Sequence, residues 1–219
     1  MHFEGPPARR RPLLRADARV GRERRGPEST EQLRQLAASG AVEPDTRLAE
    51  TRALSGTGLR VANLDASTLE AAAAGLESDI LRHIVLARAM SISVEHYDGE
   101  SLTLAAPLAP NVNDKGCAFG GSLVSVMTLA GWGLVKLALD RHGRDCDIYV
   151  QDSDVRYLAP VWNDFTAVAR LIDRESFASM IEALTLRGRA RTRVRCIVPL
   201  PDGTAAATLE ARFVAIERR

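Results

Sequence analysis

The residues with the clearest chemical potential stand just before and inside a long uncharged run. Between Asn111 and Ser122 the sequence reads NVNDKGCAFGGS, which brings asparagine, aspartate, cysteine and glycine side chains together in a short loop. The run Phe119–Val135 that overlaps it has no charged residue and predicts a buried helix. Gly120 and Gly121 would then stand at the helix N-terminus, where backbone N–H groups lack intrahelical acceptors.

Amides at a helix N-terminus attract negative charge, and glycines leave them unobstructed. A carbonyl placed there would be polarised, and an enolate or a tetrahedral oxyanion would be stabilised, with Gly121 as the central donor. Asn113 would add a side-chain donor, and Asp114 would position water if the reaction is hydrolysis. The alternatives stay open: close packing for the glycines, an Asx turn for Asn113 and an ordinary loop carboxylate for Asp114.

The uncharged helix lacks a carboxylate that could activate water. Thr128 lies about two turns into it, but a hydroxyl is a poor base at neutral pH, so we expect Thr128 to line the pocket. Cys117 would have a lowered thiol pKa near a helix N-terminus. No histidine is close to Cys117 in sequence, and we expect it to be a small wall residue. The residues expected to contact substrate are Asn111, Gly116, Cys117, Phe119, Gly120 and Ser122.

The flanking sequence predicts the elements that position this loop. Ser67 and Glu70 form an expected capping box at the start of the first helix. Gly99-Glu100 and Pro201-Asp202-Gly203 predict hairpin turns, and Pro160 and Asn163 separate two further strands. The expected elements are helices at 67–90, 119–140 and 175–188, with strands at 91–98, 101–108, 147–160, 164–173, 190–200 and 204–218.

Consecutive strands joined by short turns predict an antiparallel sheet. A helix that is apolar all round must be surrounded, and a single sheet can surround it only by curling about it. The predicted fold is therefore α+β, with a curved antiparallel β-sheet wrapped around a long central α-helix, the hotdog arrangement. Residues 1–60, rich in arginine and proline, predict a disordered extension with one short helix at STEQLRQLAAS, and residues 61–219 form the hotdog domain.

Composition narrows the functional classes. The N-terminus lacks the apolar segment of a secretory signal, and the uncharged run is short and glycine-rich for a membrane span, which predicts a cytoplasmic protein. The three cysteines and four histidines show no ligand spacing, so we expect neither metal nor cofactor. A net charge of +1 argues neither for nor against nucleic acid, but the lack of aromatic residues among the arginines argues against it.

Five arginines alternate near the C-terminus, and on a strand they would all lie on one face. This stripe would meet the phosphates of coenzyme A (CoA) or the acidic surface of an acyl carrier protein (ACP). A solvated strand face is the alternative, and it accounts for most of the five. They are Arg187, Arg189, Arg191, Arg193 and Arg195.

The stretches APLAPNVNDKGCAFGGSLVSVMTLAGWGLV and VRYLAPVWNDFTAVARL resemble the YiiD-type C-terminal thioesterase family of the hotdog superfamily, from about Leu76 to Ile216. The resemblance implies action on acyl-CoA or acyl-ACP. It also implies a homodimer, or a dimer of dimers, whose sheets join edge to edge with the site between subunits. Many hotdog thioesterases carry a helix carboxylate near the position of Thr128. The family more often has histidine at the position of Asp114 and threonine at that of Cys117.

Three functions are compatible with these residues. Thioester hydrolysis is the usual activity of the family that the sequence resembles. Some relatives decarboxylate malonyl-ACP to supply acetyl-ACP for fatty-acid initiation, a reaction that needs oxygen-binding donors but no base to activate water. The third function is binding of acyl thioesters without catalysis, which the missing helix carboxylate favours.

Overall fold

The computed structural model describes residues 65–172 and 175–218. The predicted extension at 1–60, with its short helix, lies outside these residues. The helices are α1 (Ala66–His83), α2 (Val85–Ala89), α3 (Gly120–Arg141) and α4 (Phe177–Arg187), with a 3₁₀ turn at Ala109–Asn111. The strands are β1 (Ser93–Tyr97), β2 (Ser101–Ala106), β3 (Cys146–Tyr157), β4 (Phe165–Leu171), β5 (Arg189–Pro199) and β6 (Ala205–Glu217).

The six strands form one antiparallel sheet in the order β1-β2-β4-β5-β6-β3. The β1–β2 hairpin turns at Gly99, whose φ of 91° suits glycine, and β5 and β6 form the expected hairpin. The strands β3 and β4, which follow one another in sequence, do not pair. The chain between them crosses to the other part of the sheet, and β3 becomes an edge strand that pairs with β6 alone.

The helix α3 lies against the concave face of the sheet and contacts β2, β3, β4, β5 and β6. Val126, Met127 and Leu134 on it are fully buried. The sheet curves around the helix as the sequence predicts, and one stripe of the helix surface is left outside it. The stripe left half-buried or exposed includes Gly121, Ser125, Thr128, Trp132, Lys136 and Asp140. We call these six residues the open stripe.

By length and composition α3 is the one described helix that could cross a membrane. Its apolar residues pack in the core of the domain, since 67% of its most apolar window is buried there. That burial is characteristic of a core helix rather than a lipid-facing one.

The first helix begins earlier than predicted. Its N-cap is Asp65, whose Oδ1 accepts hydrogen bonds from the Thr68 amide at 2.8 Å and the Ser67 hydroxyl at 3.0 Å. Ser67 therefore stands within the helix, and the predicted capping box is wrong. An aspartate two residues upstream caps as well as serine does and adds a negative charge at the positive end of the helix. Hydrogen bonds from the Thr68 side chain, then from the Thr68 amide and the Ser67 hydroxyl, hold the Asp65 pKa below its ordinary value.

The arginine stripe is shorter than predicted. Arg187 is the last residue of α4, and Gly188 follows it in the left-handed conformation with a φ of 64°. The strand β5 begins only at Arg189. The other four arginines point outward from the sheet, alternating with the buried Ala190, Thr192, Val194 and Cys196.

Candidate active site at the start of the central helix

The loop that leads into α3 is fastened on both sides by backbone hydrogen bonds. The Phe119 amide donates to the carbonyl of Asn111 at 2.7 Å, and the Ala118 amide donates to the carbonyl of Val161 at 2.8 Å. Val112 and Ala118 also form an isolated antiparallel bridge. The start of α3 is therefore held between the segment after β2 and the segment that joins β3 to β4.

Two backbone donors remain available at this point. The amides of Ser122 and Leu123 donate to the carbonyl of Phe119, at 2.9 and 3.1 Å. Among the described residues, no acceptor lies within hydrogen-bond distance of the Gly120 or Gly121 amides. Two adjacent donors at the positive end of a 22-residue helix can bind the oxygen of a polarised carbonyl or an oxyanion.

Two aromatic rings approach these glycines. A Cβ on Gly121 would overlap the Phe119 ring, and a Cβ on Gly120 would lie 3.3 Å from the Tyr157 ring. The Tyr157 hydroxyl donates to the Gly120 carbonyl at 3.1 Å. Each aromatic residue is 56% exposed, so both rings stand at the surface beside the free amides. The sequence indicates Phe119 but not Tyr157, which lies 37 residues from Gly120 and shares no spacing pattern with it.

The side chain of Asn113 closes an Asx turn. Its Oδ1 accepts from the amides of Lys115 at 2.8 Å and Cys117 at 3.3 Å. Its Nδ2 donates to the Cys117 sulfur at 3.2 Å and to the Ala118 carbonyl at 3.5 Å. The acceptor atom is thus committed to the loop, and the donor atom also contacts the Cys117 sulfur, while only its contact with the Ala118 carbonyl is long. A catalytic role for Asn113 remains a prediction, and it would use Nδ2.

Asp114 lies at the surface of the same loop. Its carboxylate is 80% exposed and pairs with the ammonium group of Lys115 at 3.0 Å. Gly116, with a φ of 86°, lets the loop turn back so that its amide donates to the Asn113 carbonyl at 3.2 Å. Cys117 is buried in the wall of the loop, as expected from the sequence. Water activation by Asp114 remains a prediction.

Asn111 lies beneath the helix start and is 1% exposed. Its Nδ2 donates to the carbonyls of Met90 at 2.9 Å and Pro107 at 2.7 Å. Its Oδ1 is buried with no donor among the described residues. Because its own carbonyl also receives the Phe119 amide, Asn111 ties three segments of the chain to the start of α3. This arrangement suits positioning of the site better than the direct substrate contact predicted for Asn111.

The remaining predicted residues lie along α3. Ser122 is buried below the first turn. Thr128 lies on the open stripe, about 10 Å along the helix axis from Gly121. The first acidic residue of α3 is Asp140, close to its other end, so the helix start has no carboxylate on the helix itself. Within residues 65–172 and 175–218, no three histidine, cysteine, aspartate or glutamate residues stand close enough to share a metal ion.

A six-stranded antiparallel sheet curved around one long helix defines the class of hotdog-fold proteins, which confirms the fold predicted from the sequence. Within that class, the chain belongs to the family described as "Putative thioesterase (yiiD_Cterm)", whose model matches residues 73–217.

Solved structures agree with this assignment. A protein of unknown function from Chlorobaculum tepidum matches with a TM-score of 0.65 and 26% identity, covering 68% of this chain and 97% of its own. A putative thioesterase from Shewanella oneidensis matches with a TM-score of 0.60 and 28% identity, covering 67% of this chain and 99% of its own. A thioesterase from Haemophilus influenzae, at 14% identity and a TM-score of 0.52, shares the fold, with coverage of 66% and 90%.

Proposed function

We propose that this protein hydrolyses an acyl thioester, carried by CoA or by ACP. The observation that carries the proposal is the pair of amides, Gly120 and Gly121, that have no hydrogen-bond partner among the described residues at the start of α3 in a thioesterase family member. The thioester oxygen would sit on these amides, where the helix dipole adds to the hydrogen bonds. Attack by water on the carbonyl carbon gives a tetrahedral oxyanion that the same donors stabilise, and the thiolate then leaves.

Hydrolysis also needs a base that takes a proton from the attacking water. Asp114 would act as the base, but it is largely solvated and paired with Lys115. A solvated carboxylate has little tendency to take a proton from water at neutral pH. Thr128 would line the acyl pocket on the open stripe without taking the proton. A group from a partner subunit is the other source of a base.

The lack of a helix carboxylate favours a second candidate, decarboxylation of malonyl-ACP. In that reaction the bond between the carboxylate carbon and Cα breaks, carbon dioxide leaves, and the electron pair enters the thioester as an enolate. The enolate oxygen would be held by Gly120 and Gly121, and a proton from water at Cα would complete acetyl-ACP. No step requires Asp114. An apolar environment for the malonyl carboxylate would assist the reaction, and the uncharged first half of α3 supplies one.

We further propose that the working form is a homodimer, or a dimer of such dimers, joined through β3. This edge strand is twelve residues long and exposes apolar side chains, an arrangement that natural proteins usually cover. The exposed apolar residues on and just after it are Tyr149, Val150, Tyr157 and Leu158. A partner helix would also cover the open stripe of α3. The site would then lie between subunits, in a protein that we place in the cytoplasm.

One experiment separates the candidate functions. Purified protein is incubated with acyl-CoA, acyl-ACP, malonyl-CoA and malonyl-ACP, and both free thiol and carbon dioxide are measured. Thiol without carbon dioxide supports hydrolysis, and carbon dioxide without thiol supports decarboxylation. Saturable binding with neither product supports the non-catalytic alternative and contradicts both enzymatic proposals. Light scattering on the same sample tests the dimer, which a monomer at all concentrations would contradict.

A further inference from the structure

A shallow cleft of about 320 Å³ lies where α4 ends and β5 begins, at the opposite end of the domain from the start of α3. Its lining consists of Arg187, Gly188, Arg189, Ile216, Glu217 and Arg218. Three of these six residues are arginines, whose side chains end in guanidinium groups. We call this the arginine cleft, and its ion pairs determine what it can bind.

The acidic residue of the arginine cleft is already neutralised. Glu217 accepts from the Arg144 guanidinium at 3.0 Å. Arg218 is also committed, since it pairs with Asp145 at 3.1 Å and with Asp147 at 2.8 Å. These contacts leave the positive charge of Arg187 and Arg189 uncompensated within the cleft.

Arg187 and Arg189 differ from the other arginines that follow them in sequence. Arg193 pairs with Glu175 at 3.2 Å, and Arg195 pairs with Glu210 at 2.6 Å. Arg191 donates to the side chain of Gln151 at 2.8 Å. Within the described part of the chain, no carboxylate lies within ion-pair distance of Arg187 or Arg189. Carboxylates therefore balance Arg193 and Arg195, a neutral side chain contacts Arg191, and the two arginines without any such partner lie at one end of the stripe.

The backbone places these two arginines around a turn. Gly188, in its left-handed conformation, separates them, and its carbonyl accepts from the Glu217 amide at 2.9 Å. Arg187 stands at the negative end of α4, which accounts for one cation there. That dipole does not account for Arg189, which begins a strand. A phosphate group accepts paired N–H donors from guanidinium groups, so two arginines that line one cleft favour phosphate as its ligand.

We propose that Arg187 and Arg189 bind the phosphate of a phosphopantetheine-linked substrate. This inference rests on the proposed function and on the β3-linked dimer. Antiparallel pairing of two β3 strands along their full length brings the Tyr157 end of one beside the Cys146 end of the other. Asp147 near that end pairs with Ile216, and Ile216 pairs with Arg189. Arg189 would then lie three strand spacings, about 14 Å, from the partner strand end that supports the partner's helix start.

Because Arg189 points away from the sheet face that α3 covers, the pantetheine arm of a thioester bound at one subunit's helix start would pass around the strand ends at the β3 junction. The phosphate at the far end of the arm would reach the arginine cleft of the other subunit. Both CoA and the prosthetic group of ACP carry that phosphate, whereas only CoA adds the nucleotide phosphates. The cleft would therefore recognise the carrier and leave selection of the acyl group to the helix start.

Direct binding tests this assignment without relying on turnover. Isothermal titration of the full chain with CoA, 4′-phosphopantetheine and pantetheine is compared between Arg187→Gln/Arg189→Gln and the matched control Arg193→Gln/Arg195→Gln. Each variant removes two positive charges, but only the first removes the two unpaired ones. We expect the Kd for CoA to rise at least tenfold in the first variant and less than twofold in the control. Pantetheine, which lacks phosphate, should bind equally to all three proteins.

The ligands distinguish the source of the phosphate. An equal loss of affinity for CoA and 4′-phosphopantetheine supports binding of the phosphate of the arm. A loss of affinity for CoA alone assigns the cleft to the nucleotide phosphates and contradicts the proposal. Equal weakening in both variants would reflect bulk charge and overturn the inference, as would unaltered CoA binding. Arg187→Lys/Arg189→Lys, which keeps charge but not paired donors, should bind with intermediate affinity. If the wild-type protein turns over acyl-CoA and Arg187→Gln/Arg189→Gln does so with the same KM, this inference is overturned while the proposed function stays intact.

Discussion

Two glycine pairs on the same helix lie in different surroundings. Gly120 and Gly121 stand at the start of α3, where their amides lack partners and only exposed aromatic rings approach them. Gly131 and Gly133 stand in the core. A Cβ on Gly131 would lie 2.9 Å from the Phe213 ring, and a Cβ on Gly133 would lie 2.8 Å from a Leu102 methyl.

The difference shows that glycine content alone does not reveal a site. In the core, the missing Cβ lets the sheet approach the helix closely, and the structural benefit is dense packing. At the helix start, the missing Cβ of Gly121 makes room for the Phe119 ring, and the two amides have no hydrogen-bond partner among the described residues. Close packing therefore occurs at both pairs, and a donor role for Gly120 and Gly121 stays a prediction.

The strongest test of this contrast deletes one donor at the helix start. Gly120→Pro removes the amide hydrogen at the first helical position, where proline is well accommodated. Phe119 precedes it with a ψ of 132°, a conformation that suits a residue before proline. We expect kcat to fall by about 10²–10³-fold if this amide holds the oxyanion.

Gly120→Ala is the matched control, since it adds a Cβ against Tyr157 but keeps the amide. It should retain activity within about tenfold of wild type, a loss of about 1.4 kcal/mol of transition-state stabilisation. Circular dichroism confirms that both variants fold. A folded Gly120→Pro protein as active as Gly120→Ala would exclude this amide from the mechanism.

The core pair should respond in stability rather than in catalysis. Gly131→Ala forces a methyl group against Phe213 and the Cys196 sulfur, which is 3.3 Å from the Cβ position. We expect it to lose about 1–3 kcal/mol of unfolding free energy by overpacking, while kcat per folded molecule stays unchanged. Urea unfolding measures the loss. Gly75→Ala, where a Cβ meets nothing within 4 Å, should instead gain up to about 1 kcal/mol from helix propensity.

The buried thiol of Cys196, which lies beside Gly131, should make the stability of the protein depend on pH. Burial raises the pKa of Cys196 from 9.0 to about 12. The unfolded chain therefore loses this proton at lower pH than the folded protein, and stability should fall as pH rises from about 9 toward 12. The slope approaches about 1.4 kcal/mol per pH unit for this group. Unfolding of wild type and Cys196→Ala at pH 8 and 10.5 isolates the effect, and equal losses in both proteins would contradict it.

A smaller effect separates the structural and chemical roles of Asn113. Asn113→Asp keeps the oxygen that accepts from Lys115 and Cys117, but it replaces the Nδ2 donor. If Nδ2 serves the thioester, we expect kcat/KM to fall about tenfold, or 1.4 kcal/mol, with the melting temperature unchanged. Asn113→Ala should lose activity similarly and about 1 kcal/mol of stability as well. Wild-type kcat/KM in Asn113→Asp would restrict Asn113 to the Asx turn.

The sequence predicts most of the fold because its patterns are local. Alternation and turn residues place all six strands within a few positions of their observed ends, and the uncharged run places α3 within one residue at each end. The errors arise where two local solutions are nearly equivalent. Asp65 caps α1 in place of Ser67, and Arg187 completes α4 rather than entering β5.

The site is predicted less completely, because its parts come from distant segments. The sequence indicates Gly120, Gly121 and the loop before them. It does not indicate that Tyr157 hydrogen-bonds to Gly120, nor that Asn111 would tie the helix start to the segments ending at Met90 and Pro107. Such contacts depend on how the sheet curves around the helix, and no spacing in the chain records that curvature.

By itself, the sequence determined that an uncharged helix must be buried and that glycines stand at its start. These conclusions follow from hydrophobic burial and backbone geometry, which act over a few residues. Tertiary structure alone decided which helix face stays open, that β3 lies at the sheet edge, and that Arg187 and Arg189 line one cleft without a carboxylate partner among the described residues. These features arise from pairing of segments far apart in the chain, whose free energy depends on packing of the whole domain.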